Sequence, residues 1–295
     1  MSPILGIDIG ATYIKSGLVD EKGRVNNFNK RKNRVKFGED FLVNQIINII
    51  HENRDRANFS KVGIAFAGRV NYGRGVILSA ANMGGIHNLY LKKTLERKCE
   101  VSVMIDNDAH CFAIAESAFG AGKNYNNIIG ITLGTGIGGG IIINKNLYRG
   151  ADNAAGEFGH MILDMDSEIK CSCGEYGHFE ALASGTALAN FYKMATEQEA
   201  DAELLAEMAK KGEKIAQKTI IQSGYNLAAG LSNIITIFNP EIIIIGGGLI
   251  NIDLLWQTAL NNFALKLSFK GLKNTKIEKS KLKDEAGVIG ASLLF

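Results

Sequence analysis

A glycine-rich stretch at residues 130–144, GITLGTGIGGGIIIN, has the composition of a phosphate-binding loop. Five of the seven residues from Gly134 to Gly140 are glycine, and apolar runs lie on both sides. Glycine lets a backbone approach a phosphate group closely, because it has no Cβ and readily adopts positive φ. The residues that follow the glycines indicate which kind of phosphate loop this is.

Two common phosphate-binding motifs do not fit this stretch. The dinucleotide-binding motif GxGxxG must open a helix, whereas Gly140 is followed by three isoleucines that continue as a strand. The P-loop needs Ser or Thr after Gly-Lys, but Gly122 and Lys123 are followed by Asn124. The stretch therefore predicts a hairpin whose glycine turn lies over phosphates.

The same pattern occurs near the N-terminus, in GIDIGATYIKSGLVD at residues 6–20. An alignment without gaps pairs Gly6 with Gly130 and Gly10 with Gly134, which indicates an internal duplication. A third segment, EIIIIGGGLI at residues 241–250, predicts a strand, a glycine turn and a helix. One glycine motif alone is more often an ordinary tight turn, but two matched hairpins favour a functional interpretation.

The first hairpin also carries an acidic residue. Asp8 alternates with Ile7 and Ile9, so its side chain should lie on the opposite face of the strand. An acid beside a glycine turn that contains Thr12 and Lys15 could orient a hydrated Mg²⁺ near nucleotide phosphates. A strand-end Asp that caps a turn is an equally supported alternative.

A second acidic position, Asp108, follows Asn107 after a strand that ends at Ile105. Helical spacing begins directly afterwards, so Asp108 should lie near a helix N-terminus. A carboxylate between strand and helix is well placed for a ligand in an α/β protein, but Asp is also a common N-cap. The two residues alone leave both interpretations open.

Metal and polar ligands cluster in residues 154–180. Glu157 and His160 are flanked by glycines, which favours a loop that binds a polyhydroxylated ligand over the long helices of a di-iron site. The segment CSCGEYGHFE supplies Cys171, Cys173 and His178, which form a plausible tetrahedral zinc set with His160. A loop with two reduced thiols is the alternative.

Length and composition limit the class of protein. The 295 residues suggest about two domains, and the net charge of +3 is too small to indicate nucleic acid or an anionic membrane as partner. We expect a soluble, cytoplasmic protein, since the sequence shows neither a secretory signal nor a membrane-length apolar run. The basic run at residues 30–36 predicts a solvated turn before the next strand, and Cys99 and Cys111 should be buried thiols.

The remaining pattern alternates helices and strands. Helical spacing covers about residues 38–53 and 187–238, and short apolar strands occur at residues 62–66 and 101–105. No low-complexity linker marks a domain boundary. The chain is therefore predicted to have an α/β fold.

Six segments, spread over the whole chain in order, resemble the ROK family of sugar kinases and sugar-responsive repressors in the actin-like ATPase superfamily. They are GIDIGATYIK, IDNDAHC, LGTGIGGGIIIN, GEFGH, CSCGEYGHFEALASG and PEIIIIGGGL. The resemblance implies a two-lobed actin-like ATPase (ribonuclease H-like) α/β fold with duplicated sheet-and-hairpin cores and an inter-lobe cleft. Residues 1–115 would form one lobe, to which a helix at about 284–295 returns, and residues 116–283 the other, with the zinc loop.

The resemblance also implies ATP-dependent phosphorylation of a hexose hydroxyl, with glucose as the leading substrate and glucose 6-phosphate as product. N-acetylmannosamine or N-acetylglucosamine is the alternative substrate, followed by fructose or a non-catalytic sugar-sensing role. A ROK repressor would carry an N-terminal DNA-binding domain, which we do not expect here because the first phosphate hairpin starts by Ile4. The expected cofactors are ATP, Mg²⁺ and structural Zn²⁺, and the expected partners are a sugar and a second copy of the chain in a homodimer, without nucleic acid or membrane.

The resemblance assigns roles to individual residues, with Asp108 as general base. The sugar would be held by Gly68, Asn82, Asn107, Asp108, Glu157, His160 and Glu180. The nucleotide and Mg²⁺ would be held by Asp8, Gly10, Thr12, Lys15, Gly134, Thr135, Gly136, Gly246, Gly247 and Gly248. The zinc ligands would be His160, Cys171, Cys173 and His178.

Two segments depart from the family pattern. His178 occupies the last position of a loop that usually reads C-x-C-G-x-x-G-C, and zinc accepts His in place of Cys. The segment NMGGIHN at residues 82–88 lacks the proline and tryptophan typical of glucokinase-like members. The identity of the sugar is therefore less well defined by sequence than the type of reaction.

Overall fold

The computed structural model describes residues 2–80 and 83–295, without the side chains of Lys36 and Lys266. Asn82, one of the expected sugar-binding residues, lies outside the described residues. Within the described part, no helix is both long and apolar enough to cross a membrane. The chain forms two compact units, which comprise Met1–Asn126, Gly140–Gly156 and Ser280–Phe295 in the first, and Asn127–Gly139 and Glu157–Lys279 in the second.

The first part of the chain builds a five-stranded mixed sheet. Its elements are β1 (Ile4–Ile9), β2 (Tyr13–Val19), β3 (Val25–Lys32), α1 (Glu39–Arg54), β4 (Lys61–Phe66), β5 (Arg69–Asn71), β6 (Val76–Ala80), β7 (Ile86–Leu89), α2 (Leu91–Cys99), β8 (Ser102–Asn107) and α3 (Asp108–Ala118). The sheet order is β3-β2-β1-β4-β8, in which β1 pairs antiparallel with β2 and parallel with β4, and β4 parallel with β8. A smaller sheet has the order β5-β6-β7.

The second part of the chain repeats this plan. Its elements are β9 (Ile128–Leu133), β10 (Ile137–Ile143), β11 (Asn146–Tyr148), α4 (Phe179–Ala183), α5 (Gly185–Thr196), α6 (Ala202–Lys210), α7 (Lys214–Phe238), β12 (Ile242–Gly246), α8 (Asp253–Asn262), β13 (Lys276–Lys279) and α9 (Ala286–Ser292). The sheet order is β11-β10-β9-β12-β13, and β12 pairs parallel with both β9 and β13. Both large sheets therefore combine an antiparallel meander with two added parallel strands.

The two hairpins confirm the predicted duplication. In the gap-free alignment, Ile4 at the start of β1 corresponds to Ile128 at the start of β9, and Val19 at the end of β2 corresponds to Ile143 at the end of β10. Central strands are buried on both faces, and the four isoleucines of β12 have no exposed surface. The long apolar runs of the sequence arise from this burial on both faces.

Two regions differ from the expectation. The basic run at residues 30–36 is not a turn before a strand: it completes β3 and continues through a 3₁₀ helix (Val35–Phe37) into α1. β3 is an edge strand with mostly exposed side chains, and edge strands tolerate such charges. Residues 140–156, expected in the second lobe, group with the first unit, where Gly140 lies against Ala109 and Ala113 of α3.

Helix α9 approaches its neighbours so closely that only glycine fits at one position. A Cβ on Gly290 would lie 1.8 Å from the carbonyl oxygen of Cys111 in α3. We expect Gly290→Ala to lower the free energy of unfolding by about 1–3 kcal/mol, because the backbone contact must open. Urea unfolding checks this, with Gly271→Ala as control, since a Cβ there meets nothing within 4 Å. Equal stability of the two variants would contradict the close packing.

Candidate active site

The turn of the first hairpin is held open by a side chain that the sequence did not single out. Asn33 donates from Nδ2 to the carbonyl oxygen of Gly10 at 2.8 Å, and its backbone N–H donates to that of Thr12, also at 2.8 Å. The N–H of Gly10 donates across the turn to the carbonyl oxygen of Tyr13 at 3.0 Å. Thr12 itself is exposed at the tip. The turn is thus a fixed and accessible stretch of backbone, as a phosphate loop requires.

Beside this turn, Lys15 lies between two carboxylates. Its Nζ is 3.5 Å from Asp8 and 3.2 Å from Asp284, and Lys15 is the strand partner of Asp8. Burial raises the pKa of Asp8 although Lys15 lowers it, while the pKa of Lys15 is raised by both carboxylates against the effect of burial. Lys15 is therefore a cation whose counter-ions fix its position next to the hairpin turn.

The junction of β8 and α3 shows which residue caps the helix. Asn107 is the N-cap of α3, and its Oδ1 accepts from the N–H groups of Ala109 and His110 at 2.9 and 3.2 Å. Its Nδ2 donates to the carbonyl oxygen of Gly68 at 3.1 Å. Asp108 is the first residue of the helix and is half-buried. The capping role thus belongs to Asn107, and it leaves the Asp108 carboxylate at the positive end of the helix dipole.

The turn of the second hairpin is held by the start of α5. The N–H of Gly185 donates to the carbonyl oxygen of Gly134 at 2.8 Å, and the hydroxyl of Thr186 donates to that of Thr135 at 2.9 Å. Thr135 is exposed, and a Cβ built on Gly134 would meet nothing within 4 Å. The carbonyl groups of Gly134 and Thr135 therefore point toward the start of α5, and the opposite side of the turn is open.

Glu180 joins the second glycine turn to the cysteine loop. Its Oε2 accepts from the N–H of Ile137 at 2.9 Å, while its Oε1 accepts from the hydroxyl of Ser172 at 2.5 Å and from the thiol of Cys171 at 3.6 Å. A Cβ on Gly136 would lie 2.3 Å from the same carboxylate. Glycine at position 136 is therefore what allows Glu180 to approach the turn.

The third glycine segment forms a tight exit from β12. Gly247 has φ +98°, and a Cβ there would lie 2.2 Å from the carbonyl oxygen of Leu133. Gly248 follows with open space around it and begins a 3₁₀ helix (Gly248–Asn251) that leads to α8. The predicted order of strand, turn and helix is confirmed, with a short 3₁₀ helix between turn and α-helix.

The expected zinc ligands lie together. One potential ligand atom from each of His160, Cys171, Cys173 and His178 is within 4.8 Å of all the others. The Cys171 Sγ is 3.7 Å from His160 Nδ1, and the Cys173 Sγ is 3.3 Å from His178 Nδ1. Tetrahedral Zn–S and Zn–N bonds place ligand atoms roughly 3.3–3.8 Å apart, so these two pairs have the spacing of zinc ligands and the whole set has their chemistry.

Two properties of the cluster determine how it would bind a metal ion. Burial raises the pKa of the Cys171 thiol to about 11, and a bound cation would reverse this effect by stabilising the thiolate. His160 directs Nδ1 toward Cys171, while its Nε2 lies 3.9 Å from the Glu157 carboxylate. The ring thus offers one nitrogen to the cluster and the other to the side where Glu157 lies.

The ROK family profile matches residues 4–295. The chain belongs to the ROK family. It is 31% identical to a glucokinase from Thermotoga maritima, over 99% of this chain and 96% of that protein. It is 32% identical to an N-acetyl-D-glucosamine kinase from Pectobacterium carotovorum, over 98% and 97% of the two chains.

Among solved structures, a ROK family glucokinase from Streptomyces griseus in complex with glucose and AMPPNP matches with a TM-score of 0.87 and 30% identity, over 98% of each chain. The expected two-lobed actin-like ATPase fold of the ROK family is confirmed by this similarity. The chain therefore has the fold of its ROK relatives over almost its full length.

Two residues that support the ROK motifs had no recognisable signal in the sequence. Asn33 belongs to the basic run to which no function was given, and Asp284 lies far along the chain from the hairpin that it contacts. Both act through tertiary contacts, which spacing in a single sequence does not reveal. The ROK motifs themselves mark the turns, and these contacts fix the geometry of the first turn and of Lys15.

Proposed function

We propose that this ROK protein is an ATP-dependent hexose kinase that phosphorylates glucose to glucose 6-phosphate. The observation that carries the proposal is Asp108 at the start of α3, where Asn107 takes over the cap. The full-length relatives named glucokinase, one of them solved with glucose and AMPPNP, support both the reaction and the substrate.

In this mechanism Asp108 is the general base. Its carboxylate accepts the proton of the attacking sugar hydroxyl, so that the oxygen can form a bond to the γ-phosphorus. The position at the N-terminus of α3 favours the ionised form, which is the form that can accept a proton. Asn107 and Gly68, which are hydrogen-bonded to each other, keep the Asp108 backbone in place and contribute to sugar binding.

The glycine segments bind the nucleotide. ATP supplies the phosphoryl group, and Mg²⁺ neutralises its developing charge. Thr12 in the first turn and Thr135 in the second would present hydroxyls to the phosphates, and Gly10, Gly134 and Gly136 would let the backbone approach them closely. Asp8 would hold the hydrated Mg²⁺, Lys15 would contact phosphate, and Gly246, Gly247 and Gly248 would lie beside the adenosine.

The sugar hydroxyls are held by Glu157, His160 and Glu180, with Asn82 as a further candidate. His160, Cys171, Cys173 and His178 hold a structural zinc ion, which the spacing of their ligand atoms supports. His160 would bind this ion through Nδ1, which would fix its tautomer and leave Nε2 as a donor to a sugar hydroxyl. We further propose that the enzyme acts in the cytoplasm as a homodimer.

N-acetylhexosamines are the alternative substrates. The Pectobacterium carotovorum N-acetyl-D-glucosamine kinase is as similar to the chain as the glucokinases, and the segments GRVN and EALASGTAL resemble kinases of this class. An acetamido group needs space and a hydrogen-bond partner beside the sugar C2, whereas the site of a glucokinase needs only a hydroxyl-binding group there.

A coupled assay of ADP formation with a panel of sugars tests the substrate. We expect the highest kcat/KM with glucose and values about 5–150-fold lower with fructose and the N-acetylhexosamines, since one mismatched polar group costs about 1–3 kcal/mol. A higher kcat/KM with N-acetylglucosamine or N-acetylmannosamine would replace glucose by the alternative. Turnover that continues in excess chelator would contradict the role of Mg²⁺.

A further inference from the structure

A buried carboxylate next to the proposed catalytic base has four hydrogen-bond donors. Asp106, at the end of β8, is fully buried and accepts from the backbone N–H of Asn107 at 2.8 Å and from His110 Nδ1 at 3.0 Å. It also accepts from Arg149 Nε at 2.9 Å and from Asn153 Nδ2 at 3.3 Å. None of the roles proposed above uses Asp106, His110, Arg149 or Asn153.

Both ring nitrogens of His110 face acceptors. Nε2 lies 2.9 Å from the carbonyl oxygen of Ala155, which can only accept, and Nδ1 faces the Asp106 carboxylate. A neutral imidazole has one N–H and can satisfy only one of these two contacts. With Asp106 ionised, only the imidazolium form, in which both nitrogens donate, satisfies both contacts.

The surrounding charges agree with this protonation state. Burial, the largest single effect, lowers the pKa of His110, but the hydrogen bond and the charge of Asp106 raise it, so that the pKa lies above its usual value despite nearby Arg149. Burial raises the pKa of Asp106, but His110 and Arg149 bring it below its usual value. Helix α9, which packs against α3, contributes no ionisable side chain, and Asp108 is the acidic residue in the first turn of α3.

The cluster fixes two stretches of backbone at once. On one side, Asp106 binds the N–H of Asn107, the residue that caps α3 and precedes Asp108. On the other, the segment at residues 149–156 is tied down at Arg149, Asn153 and Ala155. Asn153 also donates to the carbonyl oxygen of Val70 at 2.9 Å, and the Arg149 guanidinium stacks on Tyr72 at 3.9 Å.

This segment leads directly into Glu157 and His160, the proposed sugar ligands. We propose that Asp106 and protonated His110 are positioning residues that form a pH-sensitive latch on residues 149–156 and so control sugar affinity. The inference rests on the proposed sugar kinase function. Loss of the His110 proton removes one donor, so the ring must release either Ala155 or Asp106, and the segment is no longer held at all three points.

The sign of the pH dependence follows from the direction of each pKa shift. His110 has a raised pKa, so its stabilising contacts are complete below about pH 6.5 and are lost as pH rises through the folded-state pKa. Asp106 has a lowered pKa, so its contribution holds above about pH 3.9 and is lost only as pH falls through the folded-state value. The latch therefore opens as pH rises through the raised pKa of His110, and Asp106 stays ionised over that change.

Kinetics of His110→Gln test the latch, with His51→Gln as control, because His51 is exposed in α1. We expect the wild-type KM for glucose to rise about tenfold through the His110 titration, the loss expected for one charge-assisted hydrogen bond. His110→Gln should show the raised KM already at pH 6.5, without the step and with kcat largely unchanged. His51→Gln should keep the wild-type profile, and a His110→Gln variant that retains the step would overturn the proposal.

A second readout needs no catalysis. Histidine ¹⁵N spectra of the full chain resolve its five histidines, and the signal missing in His110→Gln identifies this ring. We expect both nitrogens of His110 to be protonated at pH 6.5, and a neutral tautomer at that pH would overturn the proposal. If both nitrogens of His110 are protonated but the protein phosphorylates no sugar, the proposed function is wrong, and the latch role that depends on it is wrong as well. If His110→Gln does not fold, Asn153→Ala should raise KM at every pH and keep the step, and an unchanged KM in that variant would overturn the proposal.

Discussion

Asp108→Asn is expected to lower kcat by about 10²–10⁴ while glucose binding stays close to that of the wild type. The amide has the same size as the carboxylate but cannot accept the proton of the attacking hydroxyl. The fold should be unaffected, because Asn107 and not Asp108 caps α3. Steady-state kinetics give kcat, and calorimetric titration of the variant with glucose gives the affinity.

Asp201→Asn is the matched control for this variant. Asp201 is the N-cap of α6 and accepts from the N–H of Leu204 at 2.9 Å, so the same chemical change is made at another helix N-terminus. Asn is an equally good cap, and kcat should remain at the wild-type value. A kcat of Asp108→Asn within a few-fold of the control, combined with lower thermal stability, would show that Asp108 is structural.

The second large effect is expected on removal of the metal ion. Chelation of zinc should raise the KM for glucose by about 10–100-fold, the range found when the groups that orient a ligand are lost. His160 would then lose the partner that fixes its tautomer, and the loop that contains Cys171 and Ser172 would no longer support Glu180. Elemental analysis of metal content, taken beside the KM, separates loss of zinc from loss of fold.

Two substitutions of His178 form the matched pair for this experiment. His178→Cys restores the ligand set usual in the family and should hold zinc at least as tightly as the wild type, whereas His178→Ala leaves three ligands and should retain less metal. The KM for glucose should follow the metal content of the two variants. Purified wild-type protein that is fully active and contains no zinc would show that Cys171 and Cys173 are ordinary loop thiols.

The features that the sequence predicted well are local. Each glycine hairpin is encoded by consecutive residues, and the duplication made Gly10 and Gly134 recognisable without any structure. The ligand set of Cys171, Cys173 and His178 is equally compact in sequence, and the structure places these side chains together with His160. Hydrophobic periodicity, turn-forming residues and the spacing of ligands are sufficient to predict such features, because one short segment contains all the information.

The features that could not be predicted depend on contacts between distant segments. Asp284 pairs with Lys15 across most of the chain, and Asp106 meets Arg149 only after the chain has passed through the second hairpin. Which of Asn107 and Asp108 caps α3 depends on the backbone dihedral angles at the start of the helix, since both residue types suit an N-cap. The basic run was misassigned because an edge strand and a solvated turn both accept charged residues.

The most direct test of the account is a ³¹P NMR spectrum of the purified protein with ATP, Mg²⁺ and glucose. Phosphoryl transfer predicts equal amounts of ADP and a sugar monophosphate ester whose phosphorus couples to the two protons at C6 of glucose. The same mixture with Asp108→Asn should remain almost unchanged over that time. Consumption of ATP to ADP and inorganic phosphate without a sugar ester, or no consumption with any hexose or N-acetylhexosamine, would contradict the assignment as a sugar kinase.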